Sequence, residues 1–339
     1  MQCHALLMFK LSRIILTPLR LFSPIARANH SPSGRIAVQT VVVIPLGPKC
    51  KMDYVLDTIA SIQHYITEQK AIIIADDSQN VEYRRRIEQS YPDIIILSTK
   101  QNLGKGSGLY TNLCIAYSYA LDHFDFETLL RLDTDALMIG YGADKEIAAY
   151  FAAHPKIGLA GTYIKGNHQT DEFGNRWDSY GGRVFVIAIA KLFSSYFLHS
   201  PLSLLRIRKR LFRAIYQGYE FGDLIFGGAY AFSRAGLEAL RSNGLLPMPN
   251  MLGVDLEEDH LFSMLMRSVG MELADLSRHH GPFGCVWKGL PATPEKLCEA
   301  GKKIVHSTRY YKNQLREGDI RAFFRAKREA ENANLVSGH

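Results

Sequence analysis

From residue 41 onward, short apolar runs alternate with stretches in which apolar residues recur at helical spacing. VVVIPLG (41–47) is a β-branched run closed by Pro45 and Gly47, and it predicts a buried strand. In the next segment Val55, Leu56, Ile59, Ile62 and Ile66 predict an amphipathic helix. IIIADD (72–77) predicts a second strand with acids at its end, followed by the polar helix VEYRRRIEQS. IIIL (94–97) predicts a third strand, then the turn-rich NLGKGSG and a helix through LCIAYSYAL. TLLRLD (128–133) predicts a fourth. Continuous apolar strands alternating with helices imply a mostly parallel sheet covered on both faces, with ligands bound outside the carboxyl ends of the strands. Pro45, Leu46, Asp76, Asp77, Asp133 and Asp135 then converge on one crevice.

The second half is less regular. KIGLAGTYI (156–164) predicts a strand, GDLIFGGAYAFSRAGLEAL a glycine-marked strand running into a helix, and LEEDHLFSMLMRSVG an amphipathic helix with acids in its first turn. MELADL predicts a last sheet strand, and a charged helix is expected near 314–332. Residues 184–205 are apolar but broken by Lys191, His199 and Pro201, and RIRKRLFR follows directly. That suits either an interfacial helix pair or a buried helix with a solvated end.

Two acids one residue apart prove little, since a chain of this length holds about one Asp-x-Asp by chance. Context sharpens the case. Residues i and i+2 of an extended chain point the same way, so Asp133 and Asp135 would present their carboxylates together. Two buried acids raise each other's pKa unless a cation lies between them, and a divalent metal with oxygen ligands resolves the conflict. Acids at the start of LEEDHLF are also what a helix dipole favours.

With 339 residues, nearly half of them apolar, the chain supports a large core in one or two domains. The net charge of +7 suits an anionic partner or a merely solvated basic surface. Five scattered cysteines (Cys3, Cys50, Cys114, Cys285, Cys298) without paired spacing read as reduced thiols, and His279 and His280 near Cys285 lack the second pair a zinc site needs. In the first 30 residues, Lys10, Arg13, Arg20 and Arg27 interrupt every apolar run. This excludes a spanning helix there and leaves a membrane-surface segment or a frayed extension. No motif for DNA or RNA binding accompanies the basic residues, so no nucleic-acid partner is expected.

Taken in order, VVVIPLG, IIIADDS, NLGKG, LLRLDTDAL, FGGAYAFSR, LEEDHLF and IVHSTR resemble the inverting, family-two-like glycosyltransferases of GT-A fold, over about residues 40–310. The resemblance implies a Rossmann-like α/β/α sandwich over 37–312. Residues 37–140 form its nucleotide-binding half and 141–312 its acceptor and base half, with 184–217 as an insertion. Residues 1–36 are then a basic amphipathic extension and 313–339 a charged helix and tail. It further implies transfer of a sugar from a nucleoside-diphosphate donor, in first place a UDP-sugar, to a saccharide, lipid-linked or small-molecule hydroxyl, as in polysaccharide synthesis. The setting would be cytoplasmic, with contact to the inner membrane face.

Carried over by motif, Asp133, Asp135 and His306 would hold Mn2+ or Mg2+, and Asp133 would also reach the ribose. Asp77, with Asp76, would accept from a uracil imide, although the usual glycine before Ser78 is missing and Asp77 with Ser78 also suits a helix N-cap. Pro45, Leu46, Asn102, Gly104 and Lys105 would flank the nucleotide, and Gly227 and Gly228 would pack against the donor sugar. Asp259 would be the general base with Glu258 beside it. Trp177, Tyr180 and Trp287 are candidate platforms for acceptor sugars. Two alternatives remain. A haloacid-dehalogenase-like Mg2+ phosphatase also carries DxD, but on its first strand, whereas three strand–helix units precede it here. A catalytically inactive nucleotide-sugar-binding module at a membrane would have no use for Asp259.

Overall fold

Within Thr40–Leu46, Val41 and Val43 face one hydrophobic core, while Val42, Ile44 and Leu46 face another. This period-two split, with every residue buried, is what a strand covered on both sides requires. The computed structural model describes residues 34–164, 170–175, 201–220, 222–249, 251 and 256–337. Its strands are β1 (Ile36–Ala37), β2 (Thr40–Leu46), β3 (Lys70–Asp76), β4 (Ile95–Ser98), β5 (Phe124–Asp125), β6 (Thr128–Leu132) and β7 (Ala136–Met138). They continue with β8 (Ile157–Ile164), β9 (Leu224–Ser233), β10 (Glu272–Asp275), β11 (Phe283–Cys285), β12 (Ile304–His306), β13 (Tyr310–Tyr311) and β14 (Leu315–Arg316).

The central sheet runs β10-β8-β9-β6-β2-β3-β4, and within it only β9 is antiparallel to its neighbours. One core packs helices Ser107–His123, Pro201–Tyr216, Arg234–Ser242 and Glu258–Ser268 on one face. The other packs helices Met52–Tyr65, Val81–Ser90 and Ala143–Ala153 on the opposite face. The fold is the expected α/β/α sandwich with a mostly parallel central sheet.

The sequence pattern did not predict a second sheet, β11-β12-β7, in which β12 runs antiparallel to β7. Its three-residue strands are too short to leave a periodic signal. It corrects one local expectation. Asp133 and Asp135 do not lie on one extended strand; they flank a tight turn between β6 and β7, closed by the Ala136 N–H donating to the Asp133 carbonyl at 3.0 Å.

The C-terminal helix Glu317–Ser337 is built into the back of that turn. Buried Arg321 donates to the Thr134 carbonyl at 2.7 Å and to Asp57 at 2.9 Å, and buried Arg328 also pairs with Asp57. Thr58 Oγ1 donates to the carbonyls of Thr134 and Ala136 at 3.1 and 2.9 Å. The turn carrying the two acids is therefore fixed from behind by a buried ion cluster. Residues 1–33 of the N-terminal extension, Trp177, Tyr180 and the first half of the 184–217 segment, up to residue 200, lie outside the described residues; from Pro201 that segment is a helix.

Candidate active site

At the carboxyl end of β6 the chain turns from Arg131 to Asp133 and Asp135, and β12 lays His306 opposite Ala136. One ligand atom from each of Asp133, Asp135 and His306 lies within 4.8 Å of the others, and this trio is the one cluster among the described residues able to hold a metal ion. His306 Nε2 stands 3.5 Å from Asp135 Oδ1 and 3.9 Å from Asp133 Oδ2. Its Nδ1 donates to the Val286 carbonyl at 2.9 Å, which in the neutral imidazole leaves Nε2 as the acceptor nitrogen, the arrangement that orients metal-ligating histidines. The Asp135 carbonyl accepts from Thr308 N–H and Oγ1–H at 2.8 and 3.0 Å, so the loop after β12 is locked onto the turn. Exposed Arg309 closes the group, its Nε 2.7 Å from Asp135 Oδ2.

The electrostatics follow from crowding. Burial pushes Asp135 up, but His306 and Arg309 outweigh it and hold the carboxyl below the usual range. Burial and the neighbouring Asp135 raise Asp133 despite Arg131. Burial opposes protonation of His306, yet the two acids raise it above the ordinary histidine value. A site that keeps a proton on His306 or Asp133 must release it to take a cation. Mn2+ affinity is therefore expected to rise with pH through His306's raised range and to fall about tenfold per pH unit below it for each proton displaced. Calorimetry in buffers of different ionisation enthalpy reads the proton release directly. A flat pH profile would exclude His306 from the ligand set.

Sequence reasoning passed over Arg131. It sits in the middle of an apolar strand at 1% exposure, over the Tyr230 ring at 5.1 Å. Its Nη2 lies 2.7 Å from Asp133 and 3.3 Å from Glu258. Nε and Nη1 have no hydrogen-bond partner among the described residues. The legible signal was the charge itself: a guanidinium inside a buried strand demands carboxylate partners. Arg131 joins the metal-site acids to the helix Glu258–Ser268.

That helix starts with Glu258, buried, and Asp259, half-buried. Burial pushes Glu258 up to about 8, with Arg131 opposing and Asp259 and Asp133 adding to the rise. The Asp259 carboxylate accepts from Gly227 N–H at 3.0 Å and from His260 N–H at 2.8 Å, which fixes its orientation at the mouth of β9.

The glycines of β9 abut protein groups. A Cβ on Gly227 would lie 3.0 Å from Asp259 Oδ2 and 3.2 Å from Glu258 Oε1. A Cβ on Gly228 would meet the His306 ring at 2.3–2.4 Å, and its φ of +91° disfavours any side chain. Gly228 thus clears the space that His306 fills. Gly228→Ala is expected to displace the imidazole and weaken Mn2+ binding by about tenfold or more. Unchanged affinity with an unchanged melting temperature would remove His306 from the metal site.

Asp76 and Asp77 lie close by, but their carboxylates are taken by protein donors. Asp76 Oδ1 accepts from Ser78 N–H and Oγ–H at 2.9 and 2.5 Å, and Oδ2 from Ser98 Oγ–H at 2.9 Å. Asp77 accepts from Thr99 Oγ1–H at 2.7 Å, Leu103 N–H at 2.8 Å and Gly104 N–H at 3.1 Å. Asn102 Nδ2 donates to the Asp77 carbonyl at 2.6 Å. Asp77 and Ser78 do not cap the following helix, because Asn80 caps it through Glu82 N–H. In this structure Asp77 holds the Asn102–Lys105 loop in place. That loop leads to Gly106, whose Cβ position lies 2.9 Å from the Leu256 carbonyl just before the Glu258 helix. Pro45 and Leu46 end β2 beside Asp77, and the Leu46 carbonyl accepts the Asp77 N–H at 2.8 Å. Trp287 is exposed, with the Lys288 ammonium 4.0 Å from its ring centroid.

The similarities to known proteins are structural. The chain resembles a mannosyltransferase from Pyrobaculum calidifontis in complex with GDP-Man and Mn2+, at 16% identity over 80% of this chain and 61% of that one, with a TM-score of 0.38. It also resembles S. aureus TarS: residues 1–349 at 13% identity over 71% and 58% of the two chains, TM-score 0.38. A second TarS structure matches at 15% identity over 77% and 38%, TM-score 0.42. The chain thus spans less than two thirds of each of these proteins. No protein-family model and no curated protein sequence matches it. Likeness at this level leaves the site geometry to carry the functional argument.

Proposed function

We propose that this chain is a metal-dependent glycosyltransferase that moves a sugar from a nucleoside-diphosphate donor to a hydroxyl with inversion. The observation that carries the reading is that two acidic groups lie together around one buried arginine. Asp133, Asp135 and His306 are close enough to share a cation, Glu258 and Asp259 stand side by side at a helix start, and Arg131 bridges the two groups.

The cation held by Asp133, Asp135 and His306 would be Mn2+ or Mg2+, and it would supply Lewis-acid stabilisation of the diphosphate leaving group. Arg309, on the open side of Asp135, is placed to meet a phosphate oxygen. The Asn102–Lys105 loop and the end of β2 form the nucleotide's wall, with Lys105 exposed there as a further cation. Asp259, aimed by the Gly227 and His260 amides, takes the proton of the acceptor hydroxyl as its oxygen bonds to the anomeric carbon. The bond from that carbon to the diphosphate breaks, and its electron pair leaves with the nucleotide. Glu258 and Arg131 keep the two halves in register.

UDP is the nucleotide of first choice. Because Asp77's oxygens already serve the loop, uracil recognition through that acid would require one of those bonds to be exchanged. The phosphatase alternative fits poorly, since its nucleophile would be Asp133, whose Oδ1 is engaged by Arg131. Calorimetric titration of UDP, GDP and dTDP with and without Mn2+ tests the proposal. Manganese-dependent binding of one nucleotide supports it. Binding of no nucleotide under any metal overturns it.

A further inference from the structure

The helix Pro201–Tyr216 is built with apolar residues on two opposite faces. Ile207, Leu211 and Ala214, at i, i+4 and i+7, are fully buried and pack against the helix Glu258–Ser268. That stripe satisfies the fold. On the opposite side Leu205, Phe212 and Tyr216, at i, i+7 and i+11, stand 65%, 62% and 89% exposed. Half-turn positions beside them carry Lys209 and Arg213 into solvent, with Arg206 and Arg208 beyond. The helix holds five cationic residues and no acid. Among the five, Arg206 bonds the Pro249 carbonyl at 3.3 Å and Arg210 the Asn243 carbonyl at 2.9 Å.

We propose that this outward face docks on an anionic lipid surface. Three exposed apolar side chains in one line cost solvation and do nothing for the core, so they call for an apolar medium. Cations flanking the stripe suit a boundary where hydrocarbon meets negative headgroups, because their long stems lie along the apolar layer while their charges reach phosphate. A helix lying in the interface needs both signals at once, and this one has both on one face. Spanning is not at issue, since no helix among the described residues is long and apolar enough to cross a membrane. Because the inner stripe packs on the helix that begins with Glu258 and Asp259, docking would set the acid pair at a fixed height above the lipid. The proposal stands independently of the glycosyl-transfer reading.

The test is co-sedimentation of the full chain with phosphatidylcholine vesicles, alone and mixed with phosphatidylglycerol, at low and high salt. Three proteins are compared: wild type, Leu205→Ser with Phe212→Ser, and Lys209→Glu with Arg213→Glu. All four positions are exposed, so the fold is expected to survive, and matched melting temperatures check this. Wild type should prefer the mixed vesicles and lose affinity with salt, and each double variant should bind them about tenfold or more weakly. Absence of wild-type binding overturns the proposal, as does equal binding by both variants. A wild-type dimer in size-exclusion chromatography that the serine variant splits also overturns it, assigning the face to a second copy of the chain.

Discussion

Asp135→Asn is expected to abolish measurable Mn2+ binding, lowering affinity by at least about a hundredfold, beyond the 10–100-fold typical of losing a partner behind a metal ligand. Asp135 faces His306 Nε2 at 3.5 Å and Arg309 Nε at 2.7 Å, so the neutral amide would leave two potential cations beside an incoming metal with only Asp133 to balance them. The backbone of the turn should hold, because Thr308 bonds the Asp135 carbonyl rather than its carboxylate. Thermal shift separates the two effects. Mn2+ at a hundred times its dissociation constant stabilises wild type by about 2.7 kcal/mol, and the variant should show no shift. Without metal, the variant should melt lower at neutral pH. Asp135's carboxyl is held below its usual range, so its contribution is present above the unfolded value and lost as pH falls through the folded one. The gap between the two proteins should therefore close in acid. A variant that still binds Mn2+ as wild type does would mean that the acid turn serves only to hold Arg309 and His306.

What the sequence made legible is the frame of this site, and what it hid are the contacts that join its parts. β2, β3 and β6 could be read because each is a continuous apolar run ending in turn-forming or acidic residues, and, being parallel neighbours, they end at one edge of the central sheet. The family resemblance put His306 with Asp135, but periodicity and spacing could place it no closer than a strand end. That neighbourhood is created by β12 pairing with β7, two three-residue strands far apart in the chain. Gly228 read as a glycine against a ligand, and the structure fills its missing side chain with His306. Arg131 read as one more strand residue because periodicity registers apolar neighbours in sequence, whereas its partners Asp133 and Glu258 lie on separate elements. Asp76 and Asp77 carry contacts of another kind that no pattern shows. Acids at a strand end suggested base recognition, and in the fold nearby hydroxyls and amides also bond both carboxylates. The tail from Glu317 looked peripheral because its charges suit a solvated helix, but Arg321 and Arg328 are buried on Asp57 behind the acid turn.

The choice of base decides the largest catalytic effect. Asp259→Asn is expected to lower kcat by about a hundred- to ten-thousandfold, the usual range for a positioned proton acceptor, with Mn2+ and nucleotide affinity nearly unchanged. An asparagine oxygen can serve only one of the Gly227 and His260 amides, so a stability loss of about 1 kcal/mol should accompany it. Glu258→Gln provides the contrast. Burial lifts Glu258 to about 8, so in wild type the folded state holds a proton that the unfolded state has released above its ordinary value. That contribution is present at low pH and is lost as pH rises toward about 8. Removing the charge should thus make Glu258→Gln relatively more stable than wild type in mildly alkaline solution and no more stable in acid. Its kcat should fall far less than that of Asp259→Asn if Glu258 only braces Arg131. The outcome that would reverse the assignment is a kcat that climbs through about pH 8 in wild type, loses that limb in Glu258→Gln and survives in Asp259→Asn. The buried acid would then be the base, and the amides of Gly227 and His260 would be holding Asp259 as a structural hinge between β9 and its helix.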